Sequence, residues 1–248
     1  MNAETTLENA RALLAERPRW LALTGAGMSV DSGVPPFRGP GGLWERMDPE
    51  TCAHVRTLDL APERAWELFR VLDAAMHGAR PHEGHAALAR AEERGKLLGI
   101  VTQNIDGLHQ EAGSVEVVEL HGSGRRYLCH RCGRGAPRPD AGSAAVPRCP
   151  CGGVLRPAIT LFGEQLPEGA LERAVRLLEG ADGLLVVGSS CEVFPAASIP
   201  DIALNAGLPV LVVGPDPNRL CAEPGAVWLR ASARAALPAL LAGEGAEP

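Results

Sequence analysis

The chain has 248 residues, a length that excludes a small disulfide-stapled module and a large multidomain assembly and fits one domain with room for an insert. Hydrophobic residues make up 46% and charged residues 22%, which excludes global disorder, and with aromatics at only 4% the core must be filled by aliphatic side chains. The net charge of −6 argues against a general nucleic-acid binder held by a basic surface, and the near-absence of lysine (Lys96 alone) is a compositional bias without functional content.

In chain order, six short apolar runs read as strands: 20–24, 97–102, 115–120, 183–188, 210–214 and 226–229. Several are continuously apolar rather than alternating, the pattern of strands covered on both faces. Helical periodicity occupies 7–16, 61–76, 83–94, 167–179, 195–205 and 231–241. This alternation predicts an α/β fold with a doubly wound parallel sheet, in which ligands sit beyond the C-terminal strand ends. Two stretches break the rhythm and read as insertions. Residues 31–60 are rich in Gly, Pro, Asp and Arg and lead into the 61–76 helix. Residues 123–156 hold four cysteines and little periodicity. There is no internal repeat.

The segment 1–17 is polar, with Glu4 and Glu8 and no apolar stretch of signal-peptide type, and no run approaches the roughly 18 residues of a membrane span. The expectation is a cytoplasmic chain with no membrane partner, whose seven cysteines are reduced. Cys129-x-x-Cys132 and Cys149-x-Cys151 stand 16 residues apart. Two close thiolate pairs suit a closed, tetrahedral, structural zinc site that holds together an insert too small for its own core. A redox thiol pair is the alternative. So is a nucleic-acid-binding zinc module, kept open by Arg125, Arg126, Arg131, Arg134, Arg138 and Arg148, although a solvated arginine face accounts for them and no specific nucleic acid is expected. Cys52, Cys191 and Cys221 read as small buried hydrophobes.

The first strand runs into Gly25-Ala26-Gly27-Met28-Ser29. Glycines there allow close backbone approach to a pyrophosphate, but Val30 fills the third glycine position of the dinucleotide motif, and a tight strand-to-helix turn explains the segment equally well. His121 follows the third strand and reads either as a base or as a capping residue. Gln103, Asn104 and Asp106 follow the second strand: groups suited to a ribose and a carboxamide, or a polar turn with Asp106 as a helix cap. His109, just beyond, is expected to be structural. Ser189 and Ser190 follow the fourth strand, where hydroxyls and amides meet phosphate or ribose.

The continuous stretch 25–39 (GAGMSVDSGVPPFRG) resembles the signature of the sirtuins, the NAD-dependent protein lysine deacylases, in their bacterial form. Gln103-Asn104-Ile105-Asp106, His121-Gly122-Ser123, Phe162-Gly163-Glu164 and Gly188-Ser189-Ser190 follow in the same order, so the resemblance spans about residues 7–241. It implies NAD as co-substrate and one structural zinc on Cys129, Cys132, Cys149 and Cys151. It implies a Rossmann-like NAD-binding domain over 1–36, 78–122 and 157–248, a cofactor-loop and helical module over 37–77, and a zinc-binding module over 123–156. Gly25, Ala26, Gly27, Ser29, Phe37, Arg38, Gln103, Asn104, Ile105, Asp106, Gly188, Ser189, Ser190 and Ala231 are the implied cofactor residues. Gln103 and Asn104 lie near the nicotinamide ribose, Asp106 on the nicotinamide amide, and Phe37 shields the reactive carbon.

By the same resemblance His121 is the general base and Asn104 its catalytic companion. The acyl-lysine carbonyl attacks C1′ of the nicotinamide ribose, nicotinamide leaves, the base deprotonates a ribose hydroxyl, and the acyl group ends on ADP-ribose beside free lysine. The substrate peptide adds as a strand between 159–164 and 191–194, with Phe162, Gly163, Glu164 and Val193 among its contacts.

Three positions depart from the family. Pro36 stands where many members have Asp and some Thr. Gly214 replaces an Asn that contacts the adenine ribose, predicting somewhat weaker NAD binding. The second cysteine pair is one residue shorter than usual. The branch preferring succinyl and malonyl groups carries a Tyr-x-x-Arg pair, and Phe69 and Leu72 take those places here, predicting acetyl or longer apolar acyl groups over succinyl. Arg70 or Arg80 offers the opposite reading if the alignment shifts. The rivals to a deacylase are an ADP-ribosyltransferase on the same NAD site and a non-catalytic NAD- or zinc-dependent binding module. A Rossmann dehydrogenase fits poorly, lacking the third glycine and an evident acidic ribose ligand.

Overall fold

In the computed structural model, residues 4–39, 41–140 and 145–243 are described; the chain ends of the expected Rossmann-like domain, residue 40 of the helical module and residues 141–144 of the zinc module lie outside them. In chain order the elements are α1 (Leu7–Ala15), β1 (Trp20–Thr24), α2 (Pro49–Cys52), α3 (Thr57–Leu60), α4 (Pro62–Gly78), α5 (Glu83–Glu93), β2 (Leu97–Thr102), α6 (Leu108–Glu111), β3 (Val117–Glu119), β4 (Gly122–Cys129), β5 (Gly135–Ala136), β6 (Leu155–Ile159), α7 (Ala170–Glu179), β7 (Gly183–Val187), α8 (Ser198–Asn205), β8 (Val210–Gly214), β9 (Ala226–Arg230) and α9 (Ala233–Leu240).

Six parallel strands form the main sheet in the order β3-β2-β1-β7-β8-β9. The order reverses between β1 and β7, the switch point where open α/β sheets bind ligands. Both faces are covered. Trp20, Ala22, Leu185, Val187, Leu211 and Val213 pack with α1, α5 and α9, whereas Leu21, Leu23, Leu184, Val186, Val210 and Val212 pack with α7 and α8. Alternate residues of β1, β7 and β8 thus enter opposite cores, which is why those runs are apolar up to the buried Thr24 that ends β1.

The expected elements are present with shifted ends, and three of the shifts have a local cause. The third strand starts at Val117 rather than 115, because the Glu92 carboxylate accepts the Val115 and Glu116 amides at 3.0 and 2.6 Å and diverts them from the sheet. The helix expected from 167 starts at Ala170, because Gly169 takes a left-handed conformation, φ 72°. A turn closed by the Ser198 amide on the Pro195 carbonyl, 3.0 Å, delays α8 to Ser198.

The stretch 123–156, which shows little periodicity, contains strands nonetheless: β4 lies between β5 and β6 in a separate antiparallel sheet. A register shift between Ser123 and Tyr127 and the exposed Arg125–Arg126 pair mask the alternation. This insert shares a third core with α4: Trp66, Phe69, Leu72, Tyr127, Val154 and Ile159 belong to one cluster, and Trp66 Nε1 donates to the Leu155 carbonyl at 2.9 Å. Asp73 pins the two together, accepting from Tyr127 Oη at 2.8 Å and from both Nε and Nη2 of Arg138.

Candidate active site

Two strand ends meet backbone to backbone at the switch point. The Gly25 amide donates to the Val187 carbonyl at 3.0 Å and the Gly27 amide to the Gly188 carbonyl at 2.9 Å. A Cβ on Gly25 or Gly27 would lie 2.8 Å from Gly188 backbone atoms, and Gly188 itself has φ 60°. Close packing between β1 and β7 therefore requires these glycines as much as any ligand does. It also supplies what the third motif position lacks: Gly188, from another strand, provides the close approach.

Beside these turns lies a cavity of about 1320 Å³, large enough for a dinucleotide with a second substrate. Gly25, Ala26, Gly27, Phe37, Arg38, Gln103, Asn104, Ile105, His121, Phe162, Gly163, Glu164, Gly188, Ser189, Ser190 and Val193 all line it. A smaller annex shares Ala26, Phe37, Leu72, Asn104 and Ile105 with it and adds Ser29 and Asp106. Ala231 lines neither space; it packs on the core formed with α9. Phe69 also lies away from the cavity. Leu68 and Leu72, one helical turn apart, face it, while Phe69, rotated by about 100° from Leu68, packs edge-on against Trp66 in the core.

The polar groups are held in definite orientations. His121 Nδ1 lies 3.0 Å from the Gln103 carbonyl. A carbonyl can only accept, so Nδ1 carries the hydrogen and Nε2 is left with a free lone pair. Burial lowers the pKa of this imidazole below the ordinary histidine value, against the opposing hydrogen bond to Gln103. The Gln103 side chain donates from Nε2 to Ser189 Oγ at 2.8 Å. Asn104 Nδ2 donates to the Gly25 carbonyl at 3.0 Å and to Ser29 Oγ at 3.2 Å. Ser29 in turn donates to Asp106 Oδ2 at 2.8 Å, and Asp106 Oδ1 accepts at 2.9 Å the amide of Leu108, the first residue of α6 after its N-cap Gly107, while facing the annex. Burial raises its carboxyl pKa, against the bonds from Leu108 and Ser29.

Part of the cavity lining is aromatic. Trp44 stands between Phe37 and Phe162, with ring centroids 5.4 and 6.5 Å away. The 159–164 segment is fixed from below: Glu164 receives Arg156 at 2.7 and 2.8 Å and the Leu161 amide at 2.9 Å. Burial works against the Glu164 carboxylate, but these partners outweigh it and its pKa is lowered. Glu164 thus shapes the loop even as it lines the cavity.

Sequence reasoning missed Trp44 and Asn218. Asn218 lines the cavity, donates from Nδ2 to the Ser189 carbonyl at 2.8 Å, and accepts the Leu220 amide at 3.0 Å. Its position in Pro-Asp-Pro-Asn after β8, a capping residue beyond a strand end, was the available signal.

The four cysteines of the insert converge, with their Sγ atoms all within 4.8 Å of one another. Cys129 and Cys151 are 3.5 Å apart and Cys132 and Cys149 3.9 Å, bracketing the separation of about 3.8 Å that thiolates take around a tetrahedral zinc. The short second pair reaches the cluster because left-handed Gly152 closes a turn, its amide 2.8 Å from the Cys149 carbonyl. The set fits a structural zinc site. Cys52, Cys191 and Cys221 are buried, as expected.

Residues 25–195 match the family profile described as the Sir2 family. The chain belongs to the Sir2 family. A Sir2 relative from Pyrobaculum aerophilum, named NAD-dependent protein deacylase 2, is 45% identical over 213 residues, 86% of each chain. Among solved Sir2 structures, a mutated homologue in complex with 2′-O-acetyl ADP ribose superposes with TM-score 0.86 at 37% identity over 94% of each chain. A complex described as Sir2-p53 peptide-NAD+ gives 0.83 at 33% identity over 93% of this chain and 95% of the other.

Proposed function

We infer that this chain is an NAD-dependent protein lysine deacylase that moves the acyl group of a modified lysine onto ADP-ribose. The observation that carries this reading is His121: its Nδ1–H is given to a backbone carbonyl and its Nε2 is free, in one cavity with the glycine turns, Gln103, Asn104 and the 159–164 and 192–195 loops. The named relatives support it. NAD supplies an activated ribosyl carbon and a departing nicotinamide, while the chain's own residues bind, orient and move the proton.

The turn glycines and Ser189 and Ser190 hold the phosphates and ribose. Asn104, fixed on Gly25 and Ser29, sets the sugar beside His121, and Asp106 with Ser29 receives the carboxamide. His121 Nε2 takes the hydroxyl proton, and its neutral form is favoured by burial. Phe37 and Trp44 keep water from the reacting carbon. The acyl-lysine peptide enters between Phe162 and Val193 as an added strand.

Leu68 and Leu72 supply the helix wall of the cavity, and neither offers a cation to a carboxylate, so acetyl and apolar acyl groups are preferred to succinyl. Reduced thiols at a four-cysteine metal site accord with a cytoplasmic location. The test is turnover of NAD with acetyl, longer apolar and succinyl versions of one peptide, with products identified by mass. Nicotinamide, O-acyl-ADP-ribose and free lysine are expected, with acetyl ahead of succinyl. ADP-ribose attached to protein, without acyl transfer, would establish the transferase instead.

A further inference from the structure

Behind Gln103 and Asn104 runs a hydrogen-bonded chain that lines no part of the cavity. His109, on α6, is 1% exposed, and its Nε2 lies 2.9 Å from Thr24 Oγ1 at the end of β1. The Thr24 hydroxyl donates to Thr102 Oγ1 at the end of β2, 2.8 Å away, and Thr102 Oγ1 also accepts the Asn104 amide at 3.0 Å. A hydroxyl has one hydrogen. Thr24 spends it on Thr102, so the hydrogen between Thr24 and His109 comes from the imidazole Nε2. The opposite nitrogen, Nδ1, is buried without a hydrogen-bond partner. The chain therefore runs from His109 Nε2–H to Thr24, Thr24 O–H to Thr102, and Asn104 N–H to the same Thr102 oxygen, because the reverse order would put the hydrogen on Nδ1 as a buried donor without an acceptor. None of His109, Thr24 and Thr102 lines the cavity.

We propose that His109 is a positioning residue for the reaction, setting the backbone of Asn104 through Thr24 and Thr102. The inference rests on the deacylase reading. A buried imidazole that leaves one nitrogen unpaired is costly as mere filling, because an unsatisfied polar atom in the core loses its hydration without compensation. The cost is understandable if the other nitrogen has a task. That task is at the junction where β1 delivers Gly25, the carbonyl partner of the Asn104 side chain, and β2 delivers Gln103 and Asn104 themselves. The amide and the side chain of Asn104 are thus tied to both strand ends at once. Slack at Thr102 shifts the residue that orients the sugar toward His121, and small misplacements of positioning groups act on turnover more than on affinity.

The roles of the imidazole atoms can be separated by substitution. His109→Gln places an amide N–H near the Nε2 position, His109→Asn places one near Nδ1, and His109→Leu places none. In steady-state assays on the full chain with an acetyl-peptide, His109→Leu and His109→Asn are expected to lower kcat about tenfold to hundredfold with KM for NAD changed less than about threefold, while His109→Gln retains most of kcat. Thr24→Val, which removes the hydroxyl but keeps the shape, should match His109→Leu, and the double variant should be no worse than either single one. Thr24→Val decides the matter alone if His109→Leu does not fold. Equal activity of the Leu, Asn and Gln variants, a Gln variant as impaired as Leu, or an unaffected Thr24→Val overturns the proposal. Wild-type protein inactive on every acyl-peptide would sink the deacylase reading instead. The coupling is then read from hydrogen exchange at the Asn104 amide, which is faster in His109→Leu than in His109→Gln if the chain holds it and equal if it does not.

Discussion

In the proposed reaction His121 is the base: a backbone carbonyl, not a side chain, selects its tautomer, and a carbonyl does not itself titrate. Burial lowers the pKa of the imidazole, so the competent neutral form persists below the free-histidine value of about 6.5. The acid limb of kcat/KM should therefore lie below pH 6.5 and vanish with the activity itself in His121→Ala; a limb above pH 6.5 would show that the free enzyme's essential base is not this group. Gly214, which lines the cavity, stands where the sirtuin resemblance expects an asparagine, and a Cβ there meets only the Asp216 carbonyl at 3.5 Å, an ordinary contact. Gly214→Asn should therefore fit and add one hydrogen bond of about 1 kcal/mol, tightening NAD binding about fivefold by calorimetry. Unchanged affinity would mean that the missing side chain has no partner in this chain.

At the scale of elements, the sequence was readable where one rule governed each residue. The strands β1, β7 and β8 lie between two cores, so their residues are apolar up to the buried Thr24 that ends β1, and the runs stand out. The insert was not readable as sheet because polar β4 carries two exposed arginines and a shifted register, and its residues answer to the metal site and to α4 rather than to a periodic face. Phe69 was misplaced for a related reason: alignment fixes a helix position, but only the packing of Trp66 and Tyr127 fixes which face turns to the cavity. The motif residues were legible as a set, whereas Asn218 and Trp44 carry roles that depend on where their loops return. The metal cluster tests the insert as an element. Cys151→Ser should lower bound zinc well below about one per chain and weaken the packing on α4, seen as a lower thermal midpoint and earlier proteolysis within 123–156. Full zinc occupancy with an unchanged midpoint would show that three thiolates suffice.

For the whole molecule, the buried histidines behind the site link activity to acid stability. His85 and His109 lie with ring centroids 5.1 Å apart, both buried. Burial, with smaller contributions from neighbouring histidines, lowers His85 to about 2 and His109 to about 3. In the unfolded chain both titrate near 6.5. Between these values the unfolded state binds protons that the native state refuses, so stability is complete above pH 6.5 and falls as pH drops, by about 1.4 kcal/mol per pH unit for each histidine. Asp106 and Glu119 oppose this, since burial raises their pKa values and the native state takes up their protons first. A difference measurement removes that offset. Denaturant unfolding of wild type and His109→Gln between about pH 6 and 4 should give slopes that differ by about 1.4 kcal/mol per pH unit, the variant being the less acid-sensitive. Parallel slopes would mean that His109 takes up a proton in the native state. In that case the acid limb of the rate would report His109 as well as His121, because a charged ring at Thr24 sits under the strand ends that carry Gly25 and Asn104.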